Sequence, residues 1–346
     1  MAGASSAQAA CISPPDGSLL DAGQGGGKWA FQAVTGVALA YGCRNGGVFP
    51  LFLLRAANAL SLAVVTLCVW LVSRLLWPER LDVAVLAGLL ATTHPVLVKY
   101  GSGVTPDAWA NAFAALAFLM GTRLVLGRAG WLEGAALTTA TALALIWKES
   151  STFLLVHFAA VIGVVAWRRV ARFPPVLRMA MVLTAIAALA AGGGAVVTRL
   201  LPVFGTTYNV SAGVLRSLGA PTEFVRALIG DLLALSPGML VSTWTALGSA
   251  GAMIIPPSST SLAIALLTGG AVLLGSVVMV VRPRQDLRLP PAAVGGIWGL
   301  SDLVCLLQPS LRQVWLDGQD IHQGRWLFPL AVPFCAWAAA AVAKLA

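Results

Sequence analysis

The run from Leu51 to Leu76 carries only two charged residues, Arg55 and Arg74. A helix needs about 20 mostly apolar residues to cross the ~30 Å hydrocarbon layer of a membrane. Similar runs follow at Leu81–Val98, Val104–Leu126, Trp131–Trp147, Ser150–Trp167, Val176–Leu200, Ser261–Val281, Ala292–Leu307 and Trp326–Ala346. Together they predict an all-α fold, a polytopic transmembrane helix bundle of about nine spans by the length rule. Composition agrees. The chain is 58% hydrophobic and 10% charged, against about 25% charged in soluble domains. A water-soluble protein of this size could not hide so much apolar surface.

The net charge of +9 is read as an orientation signal, and nucleic acid is not an expected partner. The basic turns hold Arg74 and Arg80, then Arg123 and Arg128, then Arg168, Arg169, Arg172 and Arg178, then Arg282, Arg284 and Arg288. With alternating spans they all fall on one side, and Lys344 joins them. Short cytoplasmic loops are rich in Lys and Arg, so this side and the C-terminus are expected to be cytoplasmic. The opposite side receives residues 1–48, the turn from His94 to Asp107, the Lys148–Glu149 turn, the stretch at about 201–260 and the loop 308–325.

Residues 1–48 are Gly-rich and read as a flexible segment, with 49–346 as the helical domain. The stretch "GQGGGK" lacks the spacing of a phosphate loop, and Lys28 is followed by Trp29. No charged, then apolar, leader precedes it, so the N-terminus is expected outside without a targeting segment. Within 201–260, Phe224, Val225, Leu228, Ile229, Leu232 and Leu233 follow helical spacing, which predicts a helix lying at the interface or on the bundle. The five cysteines form no CxxC pair, which argues against zinc. Cys68 and Cys335 read as packing residues, and a Cys11–Cys43 pair is the alternative use of the other two outer thiols.

Charges at membrane depth must be wetted or paired, so they are functional candidates. In "HPVLVKYGSGVTPDAW" the prolines Pro95 and Pro106 break or start helices. Asp107 falls in a first helical turn, where satisfying backbone N–H groups and the helix dipole competes with a chemical role. His94 reads more readily as a buried hydrogen-bonding residue than as a catalyst. Lys99 either snorkels to headgroups or binds a lipid phosphate. In "LIWKESST", Lys148 and Glu149 form either a solvated turn or an anion site. In "WLDGQDIHQGRWLFPLAVPF", Asp317, Asp320 and His322 precede Arg325, an outer arginine suited to phosphate. There is no GxSxG, HExxH or Cys/His nucleophile pattern. The shared chemistry is cations for phosphate and carboxylates for acid–base work at the outer boundary.

Several stretches, in order, resemble a family. "FPLFLLRAANALSLAVVTLCVWLVSRLL" resembles the second transmembrane helix of the GT-C glycosyltransferases, including bacterial relatives of the protein O-mannosyltransferases. "HPVLVKYGSGVTPDAWANAFAALAFLM" is similar to their next segment, where a Pro-Asp pair opens a helix. "ALTTATALALIWKESSTFLLV" resembles the helix end that carries their lysine. "LVSTWTALGSAGAMIIPPSS" and "HQGRWLFPLAVPF" look like segments of an uncharacterised bacterial branch. The resemblance covers most of Phe49 to Phe334. It implies an inverting transfer of a sugar from a polyprenyl-phosphate donor to an acceptor on the outer face of a bacterial inner membrane. A carboxylate would serve as base or align the acceptor, sometimes with a divalent metal, and cations would hold the lipid phosphate. Asp107, Lys148 and Arg325 match motif positions, and Lys99 stands where the aromatic turn begins. His94, Glu149, Asp320 and His322 complete the substrate-binding candidates. The family's first helix and the acidic start of its outer loop have only Asp16 and Asp21 to answer for them, which makes these two the remaining catalytic candidates. Two other readings stand beside this one. The first is a non-catalytic or degenerate relative. The second is a lipid or solute transporter, which would place charges at the midplane and show repeats.

Overall fold

The structure is a computed structural model. It describes residues 37, 49–94, 97–98, 105–128, 130–169, 174, 176–177, 179–180, 220–223, 225–230, 270–272, 274–279, 281, 291–315 and 330–345. These residues are helical almost throughout, with no strand among them. The principal helices are α1 (Phe49–Leu76), α2 (Leu81–Thr93), α3 (Pro106–Val125), α4 (Trp131–Trp147), α5 (Phe153–Arg169), α6 (Ala292–Trp315) and α7 (Ala331–Leu345). A short 3-10 turn, Glu149–Thr152, joins α4 to α5.

Helix α3 occupies the centre and touches α1, α4, α5, α6 and α7. Its sequence fits that place. Ala108, Ala110, Ala112, Ala114, Ala115 and Ala117 are all buried, and small side chains let neighbouring backbones approach closely, as helix packing in lipid requires. Helices α1 and α2 form a hairpin, and α7 packs across both. Helices α5 and α6 pair on another side of α3.

Two helices are long and apolar enough to cross a membrane, Phe52–Leu76 and Asp107–Val125. They differ in burial. Two thirds of the Asp107–Val125 window is buried, but only 33% of the Phe52–Leu76 window is. On α1, Leu53, Leu60 and Leu67 are each at least half exposed, and their sevenfold spacing puts them on one stripe. An apolar stripe facing outward along a helix of this length is unfavourable in water and favourable against lipid chains. The two apolar helices therefore support membrane association.

Hydrogen bonds fix which ends of the helices lie together. Near the start of α1, Asn58 Nδ2 donates to the Thr105 carbonyl at 3.4 Å. Thr105 is the N-cap of α3, so α1 and α3 run parallel. At the other end, the Arg168 guanidinium donates to the Val125 carbonyl, the last of α3. There Arg123 Nη2 meets Glu133 Oε1 at 2.9 Å, and Glu133 Oε2 accepts from the Gly130 N–H at 2.8 Å. Gly127, with φ of +71°, turns the chain from α3 toward α4 in the left-handed region that glycine adopts without strain. The turn after α1 adds a hydrogen bond from Arg74 Nη1 to the Pro78 carbonyl at 2.6 Å and an Arg80–Asp82 ion pair at 2.7 Å. Arg74, Arg80, Arg123, Arg128, Arg168 and Arg169 thus share one end of the bundle.

The boundaries depart from the sequence expectations in two places. The predicted span Leu81–Val98 ends at Thr93, because His94 is extended (φ −61°, ψ 115°) ahead of Pro95. A proline disfavours the helical region for the residue before it. The run predicted to end at Leu307 continues as helix to Trp315. Cys68 and Cys335 are buried, as packing residues would be, and so is Cys305. Residues 221–223 and 225–230 are helical, with Val225 and Ile229 about half exposed. The rest of 201–260 and most of 1–48 lie outside the described residues, as do most of the expected Val176–Leu200 span and Cys11 and Cys43.

Candidate functional site

The start of α3 and the end of α4 lie side by side because the two helices form an antiparallel hairpin. Each helix end places one charge. Pro106 occupies the first turn of α3, where its missing N–H costs nothing. Thr105 caps the helix: its Oγ1 accepts from the Asp107 N–H at 3.0 Å. The same hydroxyl donates to Asp107 Oδ2 at 3.0 Å. The capping role weighed for Asp107 therefore belongs to Thr105, and the Asp107 carboxylate is directed elsewhere.

It is directed to Lys148. That residue ends α4 with extended backbone (φ −155°, ψ 124°), its N–H bonded to the Ala144 carbonyl. Its Nζ forms an ion pair with Asp107 Oδ1. The side chains are 4% and 11% exposed for Asp107 and Lys148, so the solvated-turn reading of Lys148 does not hold. Isolated buried charges are strongly disfavoured, and pairing is what lets both remain ionised.

Other residues of the site arrive by helix spacing. Asn58, buried on α1, ties the Thr105 backbone to that helix, and its own carbonyl accepts from Ser61 Oγ at 2.6 Å. An aromatic cluster also joins the start of α3 to the end of α4. Trp109 lies 5.8 Å from Phe113, which meets Trp147 edge-on at 6.1 Å. Trp109 follows Asp107 by two residues, and Trp147 immediately precedes Lys148. His94 is buried at the end of α2, the same end of the bundle. Glu149 begins the 3-10 turn beside Lys148. Asp16, Asp21, Lys99, Asp320, His322 and Arg325 lie outside the described residues.

Three features escaped the sequence reading. Arg55 sits on α1 one turn before Asn58, at the same end as the ion pair. It was visible inside the quoted α1 pattern but drew no role. Asp302 interrupts the apolar run of α6, half buried, with Oδ1 enclosed and without a hydrogen-bond partner. A carboxylate inside such a run is itself a signal. Cys305, one turn further on, is within electrostatic reach of both Asp302 and Lys148, so this part of α6 approaches the site. His157, 1% exposed on α5, hydrogen-bonds Ser301 Oγ of α6 through Nδ1 at 3.0 Å and packs on Phe118 at 4.3 Å. That contact joins three helices at the interior of the bundle.

Chemically, the Asp107–Lys148 pair supplies a carboxylate able to take a proton and an ammonium able to hold an anion. Among the described residues, no three His, Cys, Asp or Glu side chains stand together as metal ligands would. Comparison with protein-family models, with curated proteins and with solved structures finds no match to the chain.

Proposed function

We propose that the chain is a GT-C-like membrane glycosyltransferase that moves a sugar from a polyprenyl-phosphate donor to an acceptor on the outer face of the membrane. The reading takes the bundle as about nine spans in a bacterial inner membrane, with the basic turns and the C-terminus cytoplasmic. The observation that carries it is the buried pairing of Asp107 with Lys148 at the end of the bundle opposite the arginines. The two residues belong to separate sequence motifs, and a base and a phosphate ligand must stand together to act on one donor.

In this mechanism Asp107 accepts the proton of the acceptor hydroxyl as its oxygen attacks the anomeric carbon. The bond from that carbon to the phosphate oxygen breaks, and Lys148 stabilises the departing lipid phosphate. Attack from the face opposite the leaving group inverts the centre. Positioned proton transfer contributes about 10²–10⁴-fold in such reactions, and a preorganised cation adds stabilisation where negative charge develops. The partly buried stripe Trp109, Phe113, Leu116 and Met120 along α3 is apolar and suits an isoprenoid chain.

The test is sugar transfer by the purified full chain in lipid nanodiscs supplied with radiolabelled polyprenyl-phosphate sugars. Asp107→Asn and Lys148→Gln should each lower transfer by about 10²-fold or more, with helical content retained. If the wild-type chain transfers sugar and both variants match it, the catalytic assignment is wrong. The competing reading, a non-catalytic relative, treats the ion pair as a tie between α3 and α4. It expects no transfer from any polyprenyl-phosphate sugar and a change in stability alone.

A further inference from the structure

The same ion pair that supports a transferase reading also blocks it as it stands. With 4% and 11% of their side chains exposed, neither Asp107 nor Lys148 is open to an incoming hydroxyl or phosphate. A carboxylate in contact with an ammonium is a weakened base, and the ammonium is already satisfied. The pair must open before either residue can act.

Its two halves are not equally held. Asp107 is fixed twice by Thr105, through its own N–H and through Oδ2, each at 3.0 Å. Thr105 is in turn tied to α1 through Asn58 at 3.4 Å. Lys148 stands at a helix end, where α4 stops and a 3-10 turn begins, and its ammonium rides on a flexible four-carbon stem. When the contact breaks, the lysine moves and the aspartate stays aimed.

We propose that the Asp107–Lys148 pair is a latch opened by the donor phosphate, so that the base is released only after the lipid phosphate has taken Lys148. This rests on the transferase reading and adds an order to it: donor first, acceptor second. Without donor, the carboxylate stays quenched and does not activate water. The donor phosphate is a diester with one negative charge shared over two free oxygens, so it matches the carboxylate in charge and can replace it on the ammonium.

The consequence is unusual for a base. Removing its charge should strengthen donor binding, because Lys148 is then a buried cation without its carboxylate. The experiment titrates a short-chain polyprenyl methyl phosphate, a diester with the donor's single charge and no sugar, into the purified full chain by calorimetry. Asp107→Asn should bind on the order of tenfold tighter than wild type, since Lys148 then no longer has to leave the Asp107 carboxylate to meet the phosphate. Lys148→Gln should bind weakly, and Asp107→Asn combined with Lys148→Gln should bind no better than Lys148→Gln alone. Suppose wild type binds, Lys148→Gln does not, and Asp107→Asn binds no tighter. The latch is then overturned while the transferase reading stands. If wild type and Asp107→Asn both fail to bind, or Lys148→Gln binds like wild type, both ideas fall together. Should Asp107→Asn not fold, the wild-type chain offers a second measurement. Labelling of Asp107 by a lipid-soluble carbodiimide, read by peptide mass spectrometry, should rise severalfold in Lys148→Gln over wild type. Equal labelling in the two would overturn the latch.

Discussion

Lys148 and Asp107 share one energetic account whatever chemistry they perform. Removing one member of a buried pair strands the other, at a cost of about 3–5 kcal/mol, whereas replacing both with well-packed apolar residues is often neutral. Lys148→Ala should therefore destabilise the protein strongly, and Asp107→Leu combined with Lys148→Met should restore most of that loss. Denaturant unfolding in detergent micelles, followed by circular dichroism, would check the cycle; equal losses in the single and double variants would contradict it. Gly121 makes a second prediction at this scale. A Cβ there would lie 2.7 Å from His157 Nε2 and 3.0 Å from Val161 Cγ2. His157 is held by Ser301 and pressed on Phe118, so it has little room to yield. Gly121→Ala should cost about 1–3 kcal/mol, as overpacking of a filled core does, and the same unfolding measurement reads it. At this scale the sequence was informative about charge and silent about partners. Asp107 and Lys148 stood out because charges in apolar surroundings do. That they meet depends on the α3–α4 hairpin bringing residues far apart in the chain into contact. Thr105 and Asn58 gave no signal, since a threonine before Pro-Asp and an asparagine in a helix are unremarkable until their hydrogen bonds are seen. Asp302 was legible and was passed over.

The elements were read well where punctuation was local. Helix α4 coincides with its predicted limits at Trp131 and Trp147, between the Gly130 cap and the extended Lys148. The apolar pattern of α2 continues past Pro95, but the helix ends at Thr93, because a proline's effect on its predecessor outweighs hydropathy. The apolar run of α6 stops at polar Gln308, yet the helix continues to Trp315, since a helix can leave an apolar layer without unwinding. Close approach between elements is the feature that hydropathy cannot supply. In the helical segment Gly270–Met279, a Cβ at Gly275 would overlap the carbonyl oxygen of Ala341 on α7. Ser276 Oγ accepts from Trp337 Nε1 at 2.7 Å beside it. Helix α7 permits this contact through its buried alanines, Ala338 to Ala341. A backbone oxygen cannot swing aside as a side chain does. Gly275→Ala should therefore cost at least the upper part of the usual range of about 1–3 kcal/mol, and Gly275→Leu should separate the segment from α7. Crosslinking of cysteines placed at Ser276 and Trp337 by a short bis-methanethiosulfonate would report it. Efficient crosslinking in the Gly275→Leu background would show that the approach does not depend on glycine.

At the scale of the whole molecule, the arrangement is a division of charge between two ends. The arginines of the α1–α2, α3–α4 and α5 termini gather at one end, several of them bonded to helix carbonyls or to acidic partners. At the other end the described charges include the Asp107–Lys148 pair and Arg55. Lys and Arg are retained on the cytoplasmic side of membranes, so the two ends should face opposite compartments, and the candidate site should face outward. The gathering of these arginines at one end was legible from their spacing in the turns, which needs no knowledge of packing; which compartment that end faces is the prediction. A membrane-impermeant maleimide tests it directly. With the five native cysteines replaced by alanine, single cysteines would be placed at Arg128, exposed in the α3–α4 turn, and at Thr93, exposed at the end of α2. In intact cells Thr93→Cys should be labelled and Arg128→Cys should not; after permeabilisation both should react. The reverse pattern would invert the topology and turn the ion pair toward the cytoplasm, where a transferase acting on the outer face could not work. Labelling of both in intact cells would mean that α3, the helix between them, does not span the bilayer, and the membrane reading of the bundle would fail with it.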